Sequence, residues 1–197
     1  MFETAFTLWG MATTWLELAA FVLSLACVLC NVYEIDWGWP LAILSGLLYF
    51  WLFRANRLYG DAWLQIFFAL VALWGWWQWR FGARDAAPLR VAVLPAQRLW
   101  QIAAAWLLSW LLLGWFLARA TDTDVPWLDA FPTAGSVVGQ VLLARKYIEN
   151  WLIWVLVNVV SVVLFSVKGL WLTALLYGLF TGLALLGYRR WRKVMAA

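Results

Sequence analysis

The chain has 197 residues, of which 66% are hydrophobic, 12% charged and none histidine, whereas soluble domains run nearer half apolar and a quarter charged. That composition defines an integral membrane protein and excludes a soluble globular domain. The net charge of +4 sits in short basic groups between apolar runs rather than along one helix face, which speaks for membrane topology and against nucleic-acid binding.

Seven apolar runs follow one another, near residues 16–33, 39–54, 61–80, 98–118, 131–144, 150–167 and 169–188. A helical span needs roughly 20 residues, so seven of them leave no room for a soluble domain. Met1 to Gly10 carries Glu3 and no basic residue. It therefore lacks the positive start of a cleaved signal peptide, and the first hydrophobic segment is expected to be retained. Cys27 and Cys30 lie inside the first run without a histidine or further cysteine to complete a zinc site, and read as buried thiols. Pro40 fits the first turn of the second helix, where its missing N–H is not needed. Residues 81–97, with Gly82, Pro88, Pro95 and several arginines, read as an exposed linker. The fifth run is short and opens at Pro132; its Thr133, Gly135, Ser136, Gly139 and Gln140 make a small, polar surface suited to close helix contact or a lined cavity.

A shift of 112 residues superposes the two ends of the chain without a gap. Trp39 falls on Trp151, Phe53 on Phe165, Leu58 on Leu170, Ala62 on Ala174, Gly75 on Gly187 and Trp79 on Trp191. Tyr59 faces Trp171, and Glu17 faces Asp129. Tryptophan-rich helices can align by chance, but a single register that also matches the run boundaries favours duplication. The expected architecture is an all-α integral membrane fold of seven transmembrane helices in a three-plus-one-plus-three parallel repeat. The first repeat with its N-terminal region spans 1–80, the linker with an unpaired fourth helix 81–130, and the second repeat with a basic C-terminal tail 131–197. The extra crossing lets both copies run in the same direction, a plan found in some transporters with the substrate site at the repeat interface.

Basic residues in short loops stay on the cytoplasmic side. With the N-terminus outside, the inner segments hold ten of the fourteen (Arg80, Arg84, Arg90, Arg98, Arg145, Lys146, Arg189, Arg190, Arg192 and Lys193). The outer ones hold Arg54, Arg57, Arg119 and Lys168. The expectation is N-terminus outside and C-terminus cytoplasmic, with Arg54 and Arg57 dissenting.

Polar groups within apolar helices need a partner or a cavity. Those present are Ser45 and Tyr49 on the second run, Gln65 and Gln78 on the third, Gln140 on the fifth, Asn158 and Ser161 on the sixth and Tyr177 on the seventh. They are uncharged donors and acceptors, suited to a neutral or delocalised-cation ligand with hydroxyls and an amide, and unsuited to a phosphate. Each could instead make an interhelical hydrogen bond, worth about 0.6 kcal/mol. Gln140 and Asn158 sit mid-run on neighbouring helices, which favours a lined cavity. Trp151 and Trp154 share a helix face with Asn158, and an indole beside an amide can stack a flat heteroaromatic ring, more strongly a cationic one. Trp154 is the better placed; Trp151, near the helix end, also suits core packing. Trp74, Trp76, Trp77 and Trp79 read as an interfacial belt. Glu17 is the only carboxylate clearly within an apolar run, so a proton relay is not expected. Neither is an enzyme, since no paired carboxylates, metal set or activated nucleophile occur. No cofactor or metal is called for.

The second repeat is also specific enough to name. Gly139, Gln140, Arg145 and Lys146, then Glu149, Asn150, Trp151, Trp154 and Asn158, then Lys168, Gly169, Trp171 and Tyr177, and Gly187 to Trp191 resemble the PnuC family of vitamin transporters. Trp39, Pro40, Leu58 to Ala62, Gln65 and Gly75 to Trp79 look like that family's N-terminal half. The resemblance covers about residues 30–80 and 131–193. It implies a SWEET-like fold and a bacterial inner-membrane facilitator, commonly a homotrimer. The substrate implied is unphosphorylated nicotinamide riboside, or thiamine or riboflavin in sister members, trapped by a cytoplasmic kinase. By motif match it implies that Gln65, Gln140, Trp154 and Asn158 line the site; Tyr49, Tyr177 and Gln78 join them as candidates from the polar inventory. A membrane subunit that scaffolds a partner without transport is the reading from another class.

Overall fold

The computed structural model of the chain describes residues 4–8, 11–55, 59–84, 87–121, 123–167 and 171–196. Arg57, Leu58, Lys168, Gly169 and Leu170 lie outside the described residues, as do the side chains of Glu17, Phe53, Ala62 and Trp171. Strands β1 (Thr4–Leu8) and β2 (Met11–Thr14) pair antiparallel ahead of the first helix. The helices are α1 (Trp15–Val32), α2 (Gly38–Ala55), α3 (Tyr59–Phe81), α4 (Ala96–Ala120), α5 (Pro126–Ala144), α6 (Asn150–Val167) and α7 (Trp171–Ala196). Two short strands, β3 (Ala83–Arg84) and β4 (Ala87–Pro88), fall between α3 and α4. Every expected apolar run is a helix. Of these, α4 and α6 are long and apolar enough to cross a membrane by length and composition alone, with α1 and α2 containing shorter apolar stretches.

The chain folds as two compact units, Met1–Ala83 and Arg84–Ala197. In the first, α2 packs against both α1 and α3; in the second, α6 packs against both α5 and α7, while α4 packs on α5. The 112-residue shift carries α2 onto α6 end for end, and carries the last residue of α1 onto that of α5. The turns that follow are copies as well. Glu34 and Lys146 are the two non-glycine residues with positive φ among those described, at 56° and 52°. Around them Ile35 N–H donates to the Cys30 carbonyl at 2.9 Å and Tyr147 N–H to that of Leu142 at 3.0 Å. Gly38 N–H donates to Ile35 and Asn150 N–H to Tyr147, both at 3.1 Å. These are left-handed helix ends that satisfy otherwise orphaned carbonyls, built twice from different side chains.

Each unit keys its central helix with one tryptophan. Trp39, 1% exposed, stands edge-on to Trp79 at 5.5 Å between centroids, and Trp151, 2% exposed, to Trp191 at 5.4 Å. Gly75 and Gly187 make room for these rings: a Cβ on either would overlap the indole of Trp39 or Trp151. Trp79 is thus the partly buried partner of a buried indole, whereas Trp74 and Trp77 are exposed as an interfacial belt requires.

Three expectations are corrected. Helix α5 begins at Pro126 in the first turn and continues through Pro132, so the fifth element does not open at Pro132. A proline inside a helix removes one hydrogen bond without necessarily ending it; here Ser136 Oγ and Thr133 Oγ1 donate to the carbonyls of Pro132 and Asp129 at 2.8 and 3.0 Å. Helix α7 absorbs the basic tail, running on to Ala196. The linker before α4 is not simply exposed. Leu89 and Leu94 are buried, and residues 89–95 form a strap over the α5–α6 turn: Ala92 N–H donates to the Lys146 carbonyl and Ile148 N–H to that of Ala92, each at 3.0 Å. Leu94 packs with Leu142 and Tyr147, flanked by Ile102, Val138 and Ile153. Leu94 N–H also reaches both carboxylate oxygens of Glu149, at 3.1 and 3.0 Å. Leucines alternating with prolines and arginines carry no helical period, which hides this burial from a periodicity argument.

Helix α4 is different in kind. Gly114 is its buried residue, while Leu107, Leu108, Leu111, Leu112, Trp115 and Phe116 are all exposed. A run of that size would drive association in water and is the ordinary outer surface in hydrocarbon.

Candidate functional site

In the second unit, α5 and α6 meet closely at Gly139. A Cβ placed there would lie 3.1 Å from Cε2 and 3.3 Å from Nε1 of Trp154, so the absent side chain is what lets the indole lie against α5. Gln140 and Trp154 are partly buried. One turn along the same face of α6 comes Asn158, 5% exposed, and then Ser161, 2% exposed. On the following turn Phe165 stacks with Tyr177 of α7, with centroids 5.2 Å apart and planes 20° from parallel. The Phe180 ring stands edge-on to Tyr177 at 6.1 Å. The unit therefore gathers an indole, two carboxamides, a hydroxyl and a phenol along α5, α6 and α7, all uncharged. Trp151 has the opposite role: it is enclosed by Gly187 and Trp191 and serves packing.

The α6 end of this surface is fixed from below. Asn150 is fully buried, and its Nδ2 donates to the Tyr147 carbonyl at 2.6 Å. The strap holds the same turn. The position of Trp154 is thus set by a helix whose first turn is pinned by backbone hydrogen bonds, the condition for a preformed binding surface.

In the first unit the polar candidates separate. Ser45 is consumed by structure: its Oγ donates to the Ala20 carbonyl at 3.0 Å and lies 2.8 Å from Ser24 Oγ, clamping α2 to α1. Tyr49, one turn on, is partly buried. Gln65 of α3 is partly buried against Gly46 of α2; a Cβ on Gly46 would stand 3.5 Å from the Gln65 carbonyl and 3.8 Å from its Oε1. Gln78, 7% exposed, lies in the last turn of α3, where its main-chain carbonyl accepts the Gly82 N–H at 2.8 Å. Its surroundings are those of a helix end rather than of the mid-helix polar groups. Reasoning from single residues misses one contributor, Phe165 as ring partner, and names Gly139 only within a small-residue surface suited to close helix contact. The repeat identity of Phe165 and the small-residue character around Gly139 were the signals available.

A duplicated three-helix unit, an outer surface of exposed aliphatic and aromatic residues, and neutral polar side chains buried along the helices are the features of an integral membrane transporter. The chain belongs to the nicotinamide mononucleotide transporter family, whose model matches residues 14–193. It is 30% identical over 208 residues to the nicotinamide riboside transporter PnuC of Escherichia coli, covering 92% of this chain and 87% of that protein. It is 33% identical over 190 residues to the riboflavin/roseoflavin transporter RibM of Streptomyces davaonensis, covering 95% and 89% respectively. Its fold matches the crystal structure of the vitamin B3 transporter PnuC with a TM-score of 0.72 at 23% identity, over 91% of this chain and 81% of that one. The protein is a membrane transporter and not an enzyme.

Proposed function

We propose that the protein carries nicotinamide riboside across the membrane by facilitated diffusion. The observation that carries this reading is the uncharged indole-and-amide face of α5 and α6, where Trp154 lies against Gly139 with Asn158 one turn away. A cationic pyridinium ring stacks well on an indole, and its carboxamide and ribose hydroxyls pair with amides of either polarity. The residues assigned to substrate in the second unit are Gln140, Trp154, Asn158 and Tyr177. In the first unit Gln65 and Tyr49 are the assignments, with Gln78 placed last because it ends a helix. Phosphorylation by a cytoplasmic kinase would retain the solute, since a phosphate finds no arginine or lysine among these groups.

Riboflavin is the second reading, favoured by the 33% identical relative named for it; its isoalloxazine would stack on the same indole. Thiamine is the third vitamin to include. The orientation inferred from the ten-to-four basic count has the N-terminus outside the bacterial inner membrane and the C-terminus in the cytoplasm. By family resemblance the assembly is a homotrimer in the lipid bilayer.

Titration calorimetry of nicotinamide riboside, riboflavin and thiamine against the detergent-purified chain, followed by flux into liposomes, tests the reading. Binding and flux of nicotinamide riboside above the other two are expected. Binding of riboflavin alone replaces the substrate, and background flux of all three supports a scaffold instead.

A further inference from the structure

The 112-residue register sets one contact of the first unit beside two positions of the second. Gly46 and Gln65 face one another on α2 and α3, and their counterparts on α6 and α7 are Asn158 and Tyr177. The residue types are exchanged between helices: the first unit has an amide on its third helix and nothing on its second, while the second unit has an amide on its middle helix and a ring on its last. Geometry accounts for the exchange. The Gln65 carboxamide oxygen lies 3.8 Å from where a Gly46 Cβ would be, so it fills the volume that a longer side chain on α2 would enter. In the second unit the Tyr177 ring stacks on Phe165, seven residues beyond Asn158, and the middle helix carries the amide itself.

We infer that Gly46 is a positioning residue that decides which helix presents the first unit's carboxamide. Because position 46 carries no side chain, the carboxamide of the first unit is presented to the vitamin from α3 by Gln65. The inference deepens the transport reading and rests on it. It identifies the bound chemistry at this spot as a hydroxyl or carboxamide of the vitamin able to exchange hydrogen bonds with a primary amide. The register also implies that an amide restored on α2, in the manner of Asn158, can replace the one on α3.

Calorimetric binding of nicotinamide riboside and riboflavin to the purified full chain tests this with four variants. Gln65→Ala is expected to weaken binding about tenfold, the scale of one lost buried hydrogen bond. Gly46→Ala is expected to bind within about threefold of wild type, since a Cβ at 3.5 Å is ordinary contact. Gly46→Asn combined with Gln65→Ala is expected to regain most of the affinity lost by Gln65→Ala, which no purely structural role would produce. A folded double variant that binds no better than Gln65→Ala overturns the inference, as does a Gln65→Ala protein of wild-type affinity. Should the double variant not fold, Gly46→Val decides: loss of binding comparable to Gln65→Ala supports the inference and wild-type affinity overturns it. Wild-type protein that binds neither vitamin overturns the transport reading itself, and this inference with it.

Discussion

Gly187 of α7 lies against Trp151 of α6 so closely that a Cβ on the glycine would stand 2.6 Å from the fused-ring carbons of the indole. The ring has no open space to retreat into, because it also packs perpendicular to Trp191, one turn along α7, and the residue is 2% exposed.

Gly187→Ala is therefore expected to destabilise the protein by about 1–3 kcal/mol, the range for overpacking a close-fitted contact. Gly75→Ala against Trp39 should behave alike. Gly178→Ala and Gly182→Ala, where a Cβ meets nothing within 4 Å, serve as controls on the same kind of helix and should leave the melting temperature in detergent unchanged or slightly raised.

The two copied turns are held by different means. In the first unit the α1–α2 turn is tied to α3 by Asp36 and Arg80 at 3.6 Å, with both side chains well exposed. Such a pair is worth about 0–1 kcal/mol. In the second unit the Glu149 carboxylate accepts the buried Leu94 N–H. Glu149→Ala should lower stability by about 1–3 kcal/mol, because a charged acceptor is lost and a buried donor is orphaned. Asp36→Ala should change it by less than about 1 kcal/mol. Amide exchange at Leu94 should accelerate in the first variant and not in the second.

Lys146 holds φ at 52°, a conformation that costs a residue with a Cβ about 1 kcal/mol and glycine little. Lys146→Gly is expected to raise stability by up to about 1 kcal/mol, read as a higher melting temperature. A fall would mean that side-chain contacts of Lys146 outweigh its backbone strain.

Asn158→Ala should weaken vitamin binding about tenfold or more through loss of a buried polar contact, with elution volume and melting temperature close to wild type. Gly139→Ala should do so by another route, since its Cβ would press 3.1 Å from the Trp154 indole and shift the ring. Wild-type affinity in both would remove the α5–α6 face from the substrate site.

The legible parts of the fold are those where composition changes abruptly. Helix α6, bounded by Asn150 and Val167, runs from the first to the last residue expected of it because charge and glycine flank a continuous apolar stretch. Helix α5 holds two prolines, and the one that marks its first turn is Pro126 rather than Pro132, which lies inside it. Helix α7 outlasts the apolar run that ends near residue 188 and continues through the basic Arg189 to Lys193, since arginine and lysine are good helix formers. The strap was hidden because its buried residues, Leu89 and Leu94, have no period. At the candidate site, the shared face of Trp154 and Asn158 follows from helical spacing alone. The Gly46 and Gln65 contact was invisible to a search for identities between repeats, since at that position the repeats differ in residue type.

Helix α4 packs along α5 through one face: Trp106 and Trp110 donate their indole N–H groups to the carbonyls of Phe131 and Trp127 at 3.3 and 2.8 Å, and Gly114 admits the Trp127 ring. Most of its other side chains face outward and are required only to be apolar. Selection for the fold therefore constrains about one face of this helix and leaves the rest free to wander among leucine, alanine, phenylalanine and tryptophan. Substitutions among apolar residues on that outward face therefore leave the contacts with α5 intact.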